Sequence, residues 1–168
     1  AVLKDETPVD SVISTSKKSG KLGLGASVAV AVAENTARAN IASGAIVTAG
    51  DNITVSAQQT GTTASEARAA GAGGLAIIPL AAVTVARNNA SASIDAGVGA
   101  VQSTGAMNIT STQTVSSTAV GNGLAEASGQ DNKVAIGMSA GLVIGFDNNS
   151  ASLGRSVTAG GLSVLADT

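Results

Sequence analysis

The chain has 168 residues, 44% of them apolar, yet Phe146 is its single aromatic residue and it contains no Cys, His, Tyr or Trp. An ordinary globular core uses several aromatics, so the composition excludes a thick interior and favours thin layers of Ala, Val, Ile and Leu between turns built from the 21 Gly. With 9 Lys and Arg against 11 Asp and Glu there is no basic stripe to neutralise a phosphate backbone, so nucleic acid is not an expected partner. The missing thiol and imidazole remove the usual nucleophile, proton shuttle and transition-metal ligands, so no cofactor and no enzymatic role are expected.

Residues 1–20 read as the tail of a repeat. Asp5, Glu6 and Asp10 stand where a secretory signal would need a basic start and an apolar run, so no signal peptide is expected there. The first full repeat, 21–73, contains the alternating run Ser27 to Ala33, whose Val28, Val30 and Val32 recur at period two and predict a strand with the valines inward. Glu34-Asn35-Thr36 then predicts a turn. Short β pieces follow at 39–41, 46–47 and 53–57, separated by Gly44 and by Thr48-Ala49-Gly50. Ala64 to Ala70 contains good helix formers, but its counterpart at 116–127 carries Gly121 and Gly123, so both are read as strand and corner.

The second repeat, 74–132, is the first one shifted by 53 residues. Leu22 matches Leu75, Val30 matches Val83, Val32 matches Val85, Asn35 matches Asn88, Ile41 matches Ile94 and Gly44 matches Gly97. The apolar run 71–86, which spans the junction of the two repeats, contains Pro79 and is shorter than the roughly 20 residues a membrane helix needs, and without Trp or Tyr a membrane barrel lacks its aromatic girdles. No membrane span is therefore expected. The third, partial repeat occupies 133–168: Lys133-Val-Ala-Ile-Gly137 echoes Lys21-Leu-Gly-Leu-Gly25, Asp147-Asn148-Asn149 falls at the predicted turn, and Val157-Thr-Ala-Gly160 repeats Val47-Thr-Ala-Gly50. Val28, Val30, Val32, Val83, Val85, Ile41, Ile94, Ile53 and Ile109 are the expected core.

A period of about 56 residues with coils of roughly 20 to 28 residues predicts an all-β parallel solenoid with two or three coils per repeat, hence a rod on the order of 30 to 40 Å long. Asn35, Asn88 and Asn148 share one position of the three repeats and suggest an asparagine ladder. At two or three coils apart they would be too distant to bond one another, so each is expected to serve the backbone of its own turn.

Gly25 to Ile41, followed by Gly44 to Ala57, resembles repeats of very large bacterial exoproteins, the filamentous-haemagglutinin and leukotoxin-like β-helical adhesins. The resemblance implies a right-handed parallel β-helix, export to the cell surface or medium, and a role as stalk, adhesin or fibre. Asp131 to Gly137 also looks like a head repeat of trimeric autotransporter adhesins, although those repeats are much shorter.

The acids Glu34, Glu66, Asp95, Glu126 and Asp147 are scattered, which suits solvated corners better than a catalytic pair. Asp51-Asn52, Asp131-Asn132 and Asp147-Asn148 offer oxygen ligands of the kind calcium takes, but lack the Gly-rich nonapeptide of calcium-loaded β-rolls. Thr60 to Thr63 and Thr110 to Thr114 suggest a hydroxyl face for glycan or ice, with registers too mixed for an ice lattice. The expected partners are copies of the chain or adjacent repeats, end to end, and a host or matrix glycan.

Overall fold

The computed structural model describes residues 2–14, 22–128 and 133–168. Strands make up most of these residues, and no helix occurs among them. The strands are β1 (Val2–Ser14), β2 (Leu22–Leu24), β3 (Ser27–Ile41), β4 (Val47–Ala49), β5 (Ile53–Gly73), β6 (Leu75–Ile94), β7 (Val101–Ser103), β8 (Ala106–Ala127), β9 (Val134–Leu153) and β10 (Gly161–Asp167).

All the pairings are parallel and fall into three sheets. Sheet A has the order β1-β5-β8-β10, sheet B is β2 and β3 beside β6 with β9 on its other side, and sheet C pairs β4 with β7. The chain therefore visits B, C and A in turn, and then B again. Ser27 pairs with Leu80 and Ile41 with Ile94, a register equal to the 53-residue repeat shift, while Leu75 pairs with Val134. Each repeat thus makes one passage through all three sheets.

This corrects the expectation of two or three coils per repeat. The strands are long because the predicted turns at 34–36 and 87–89 do not form: β3 and β6 run straight through them. At about 3.3 Å per residue β5 and β8 extend roughly 70 Å, while four strands at about 4.8 Å spacing stack over only about 14 Å. The rod of 30 to 40 Å gives way to a wide, shallow stack. Pro79 has no N–H for the ladder, and opposite it residues 25–26 separate β2 from β3.

Sheets A and B face each other across an interior whose two ends differ. Beside sheet C it is filled by Ile53, Val55, Ile94, Val101, Met107 and Ile109. Towards the β5–β6 connection it narrows to Ala29, Ala67, Ala69, Ala82, Ile78 and Leu80. Near that connection the backbones almost touch: a Cβ added to Gly73 would lie 2.6 Å from the Gly23 nitrogen. At the opposite, corner side Gly44 and Gly97, matched in the repeat, take φ of 81° and 139°, a region open to glycine.

The narrowing overturns part of the expected core. Ile94, Ile53 and Ile109 are buried and Ile41 packs partly against them. Val28, Val30 and Val32, in contrast, are 64%, 52% and 72% exposed, and Val83 and Val85 also point outwards. Ala29, Ala31, Ala33, Ala82, Thr84 and Ala86 take the inward positions, so the register here is one residue away from the expected one. Most inward positions here are small, with Thr84, Ile78 and Leu80 the larger side chains between the sheets.

Candidate functional site: the amide ladder and the outer faces

Alternation along β3, β5, β6 and β8 sends one set of side chains into the narrow space between the sheets and the other to solvent. Midway along that space the inward positions are polar. Asn35 Nδ2 donates to Asn88 Oδ1 at 3.1 Å, and Gln59 Nε2, arriving from sheet A, donates to the same oxygen at 3.0 Å. Asn88 Nδ2 in turn donates to Asp147 Oδ1 at 2.8 Å, and Gln113 Nε2 donates to Gln59 Oε1 at 3.2 Å. These amides are buried, Gln59 completely.

One passage per repeat places residues 53 apart on adjacent strands, which is why Asn35 and Asn88 bond directly. The expected distance barrier does not exist. Both lie inside strands and not at turns, and Asn148 is not in their row: it pairs in register with Asn89 and its Nδ2 donates to Asn89 Oδ1 at 3.3 Å. Asp147 occupies the third place of the ladder. Two neighbouring polar contacts extend the layer, Ser65 with Thr84 at 2.8 Å and the Thr84 hydroxyl donating to the Thr118 carbonyl at 2.6 Å. Gln113 stood out only as part of the Thr110 to Thr114 run and Gln59 not at all; their 54-residue spacing was the signal that they stack.

The candidate acids do not converge. Glu66 is bridged by Arg68, whose hydrogen bond holds its carboxyl below the usual range. Asp95 accepts from Ser93 Oγ at 2.8 Å and from Asn40 Nδ2 at 3.0 Å, and these bonds lower its pKa. Asn52 Oδ1 accepts the Ala106 N–H at 2.7 Å, so Asp51-Asn52 contributes to a corner. Among the described residues no three His, Cys, Asp or Glu side chains come together as a metal site, and Asp131-Asn132 lies outside the described residues. Arg155 was not anticipated: its guanidinium donates to the carbonyls of Val98 at 2.9 Å and Ala42 at 3.3 Å, tying the corners of three passages.

The two long outer faces are chemically opposite. Outward on sheet A, Thr54, Ser56, Gln58, Thr60 and Thr62 of β5 beside Asn108, Thr110, Thr112, Thr114 and Ser116 of β8 form a polar stretch, with the paired charges Glu66 and Arg68 further along β5. Its rows are mixed: Thr60 pairs with Thr114, but Thr54 pairs with Asn108 and Ser56 with Thr110. Outward on sheet B, residues 22–33, 75–86 and 134–145 contain no charged residue. That surface ends at the row Glu34, Arg87, Phe146, where the Arg87 guanidinium lies 5.3 Å from the ring centre.

These features define an all-β protein of parallel strands stacked repeat upon repeat. No helix among the described residues is long and apolar enough to cross a membrane. No family model matches the chain, and neither a curated protein nor a solved structure does.

Proposed function

We propose that this chain is a right-handed parallel β-helix segment of a secreted or cell-surface bacterial fibre, stalk or adhesin, with a structural and not a catalytic role. The observation that carries the reading is the register: strand after strand pairs in parallel with its counterpart one repeat later, and the side chains stack with it into the ladder Asn35, Asn88, Asp147. An array of this kind has no natural size, because each new repeat finds the same template. The resemblance of residues 25–57 to filamentous-haemagglutinin-like exoproteins supports the export and the fibre role.

End-to-end assembly belongs to the same reading. Among the described residues β3 is paired only with β6, and β9 only with β6, so the outer edges of sheet B can take a further repeat, from a second copy or from adjacent sequence. Placing β3 of a second copy on β9, with Ser27 opposite Ser139 and Ile41 opposite Leu153, continues the existing rows. Such a contact is heterologous and propagates as a filament unless it closes into a ring. Electron microscopy of the purified chain, with light scattering over a concentration series, tests it. Filaments or elongated oligomers growing with concentration are expected; a strictly monomeric chain at high concentration overturns the stacking.

A carbohydrate-binding adhesin is the second reading, favoured by the flat hydroxyl and amide surface of sheet A. Retention on a glycan array, lost on replacing Thr60 and Thr114 by Val, is its test. An ice-binding role is less well supported, since the rows mix Thr with Ser, Asn and Gln.

A further inference from the structure

The outer face of sheet B inverts the usual distribution of bulk. Its outward positions are Leu22, Leu24, Ala26, Val28, Val30 and Val32 on the first passage, and Leu75, Ile77, Pro79, Ala81, Val83 and Val85 on the second. On the third they are Val134, Ile136, Met138, Ala140, Leu142 and Ile144. All are apolar. The inward positions alternating with them are mostly Gly, Ala and Ser.

Twelve residues of length by three strands of width correspond to about 550 Å². That reaches the upper end of the roughly 300 to 600 Å² found for the largest apolar patch of a typical monomer, here without one interrupting charge. Leu24 is 57% exposed, Met138 55% and Leu142 52%, so the side chains stand free of the protein's own packing. At the β2–β3 break the surface has a depression of about 290 Å³ lined by Leu24, Gly25, Ala26, Ile77 and Pro79.

We propose that a second copy of this chain packs on this face, sheet against sheet, pairing stacks laterally. The chemistry favours a like surface. The rows Leu24-Ile77-Ile136, Val30-Val83-Leu142 and Val32-Val85-Ile144 repeat similar side chains at the strand spacing, giving parallel ridges that interdigitate with ridges of the same pitch at about 10 Å between sheets. A lipid surface is the poorer occupant, because the face has no Lys or Arg and no Trp or Tyr to hold headgroups. The depression accepts one apolar side chain from the partner.

Area sets the conditions. A stable interface takes about 800 Å² from each partner, so one chain's roughly 550 Å² gives at most a weak dimer. Two chains stacked end to end present about 1,100 Å² in one continuous plane. Lateral pairing is then coupled to axial stacking, a coupling that rests on the end-to-end assembly proposed above, whereas the occupant of the face does not.

The test uses the full chain and the pair Val30→Glu with Val83→Glu, neighbours in one row, with Val30→Thr and Val83→Thr as the milder version. Mass per unit length from scanning transmission electron microscopy is expected to be twofold higher for wild-type filaments than for V30E/V83E filaments, which still elongate. Wild-type filaments of single-stack mass overturn the proposal. If no filaments form, stacking fails and sedimentation equilibrium decides the face separately: a weak wild-type dimer abolished by V30E/V83E supports it, and a monomer at all concentrations overturns it. Loss of the cooperative thermal transition in the Thr variant makes the face interior and also overturns it. Co-sedimentation of a non-associating wild-type chain with phosphatidylcholine vesicles, lost in V30E/V83E, replaces the second copy by lipid.

Discussion

The two ends of the interior are built from the same chain and the same strand pattern, yet they place bulk on opposite sides. Beside sheet C, Ile53, Val55, Ile94, Met107 and Ile109 point inwards and Thr54, Ser56, Asn108 and Thr110 of β5 and β8 point outwards. Towards the β5–β6 connection Ala29, Ala67, Ala69 and Ala82 point inwards, and Val28, Val30 and Val32 face solvent. The third wall is the difference. Sheet C stands between A and B at one end, and where it is absent the interior is lined mostly by alanine and glycine, with Ile78 and Leu80 as its larger side chains. Between the ends lies the amide layer, where Asn35, Asn88, Gln59 and Gln113 bond one another across the gap, with the Gln113 Oε1 atom buried and without a hydrogen-bond partner.

The strongest break of this comparison is Ile94→Ala set beside Val30→Ala. Ile94 is fully buried, so its truncation is expected to cost about 3 to 4 kcal/mol from lost burial and the cavity left behind. Val30→Ala in a dilute, unassociated chain is expected to cost less than about 1 kcal/mol. Urea titrations of both variants check this, and equal costs would reverse which side is interior. Next in size is Asn88→Ala, which removes the acceptor of Asn35 and Gln59 and the donor to Asp147. Leaving buried amides unpaired is expected to cost about 2 to 3 kcal/mol, read as a fall in urea midpoint, with Asn88→Leu no better than Ala.

Gly73→Ala sharpens the narrow end, because its Cβ would meet the Gly23 and Leu22 backbones, which are unable to rotate away. Overpacking there is expected to cost about 2 kcal/mol, whereas Gly50→Ala, with open space around its Cβ, is expected to be nearly neutral in thermal melts.

The smallest effect belongs to the corner carboxylate Asp95. Hydrogen bonds from Ser93 and Asn40 lower its folded pKa below the ordinary value of 3.8, so its contribution is present above that value and disappears as pH falls through the folded pKa. Asp95→Asn is expected to flatten the acid limb of a Tm against pH profile between pH 5 and pH 2, without changing the neutral Tm difference between I94A and V30A. An unaltered acid limb would remove Asp95 from the account.

Much of the fold was legible because a repeated sequence in parallel register must repeat its pairings. Asn35 over Asn88 and Ile41 over Ile94 follow from the 53-residue shift. The candidate site was legible only in part: Asn35 and Asn88 stood out as matched polar residues, but Gln113 sat in the Thr110 to Thr114 run, which read as a hydroxyl face, and Gln59 lay just ahead of the Thr60 to Thr63 run. Nothing local marks the residues of a polar run that face inwards. Arg155 was equally silent, since its partners are the carbonyls of Val98 and Ala42, and a main-chain carbonyl has no signature in side-chain identity.

By itself the sequence determined the all-β character, the alternation of each strand, the repeat spacing that became the pairing register and the glycine corners at 44 and 97. Those are properties of single segments or of segments compared with each other. Tertiary structure alone decided that one repeat makes one passage, that Glu34-Asn35-Thr36 continues a strand, and that alanine and not valine faces inwards along β3. Period-two alternation is symmetric: it separates two faces without saying which is covered. That choice falls to the distance at which a second sheet comes to rest, where the facing residues some 35 to 40 positions away, Ala67, Ala69 and Gly71, are small.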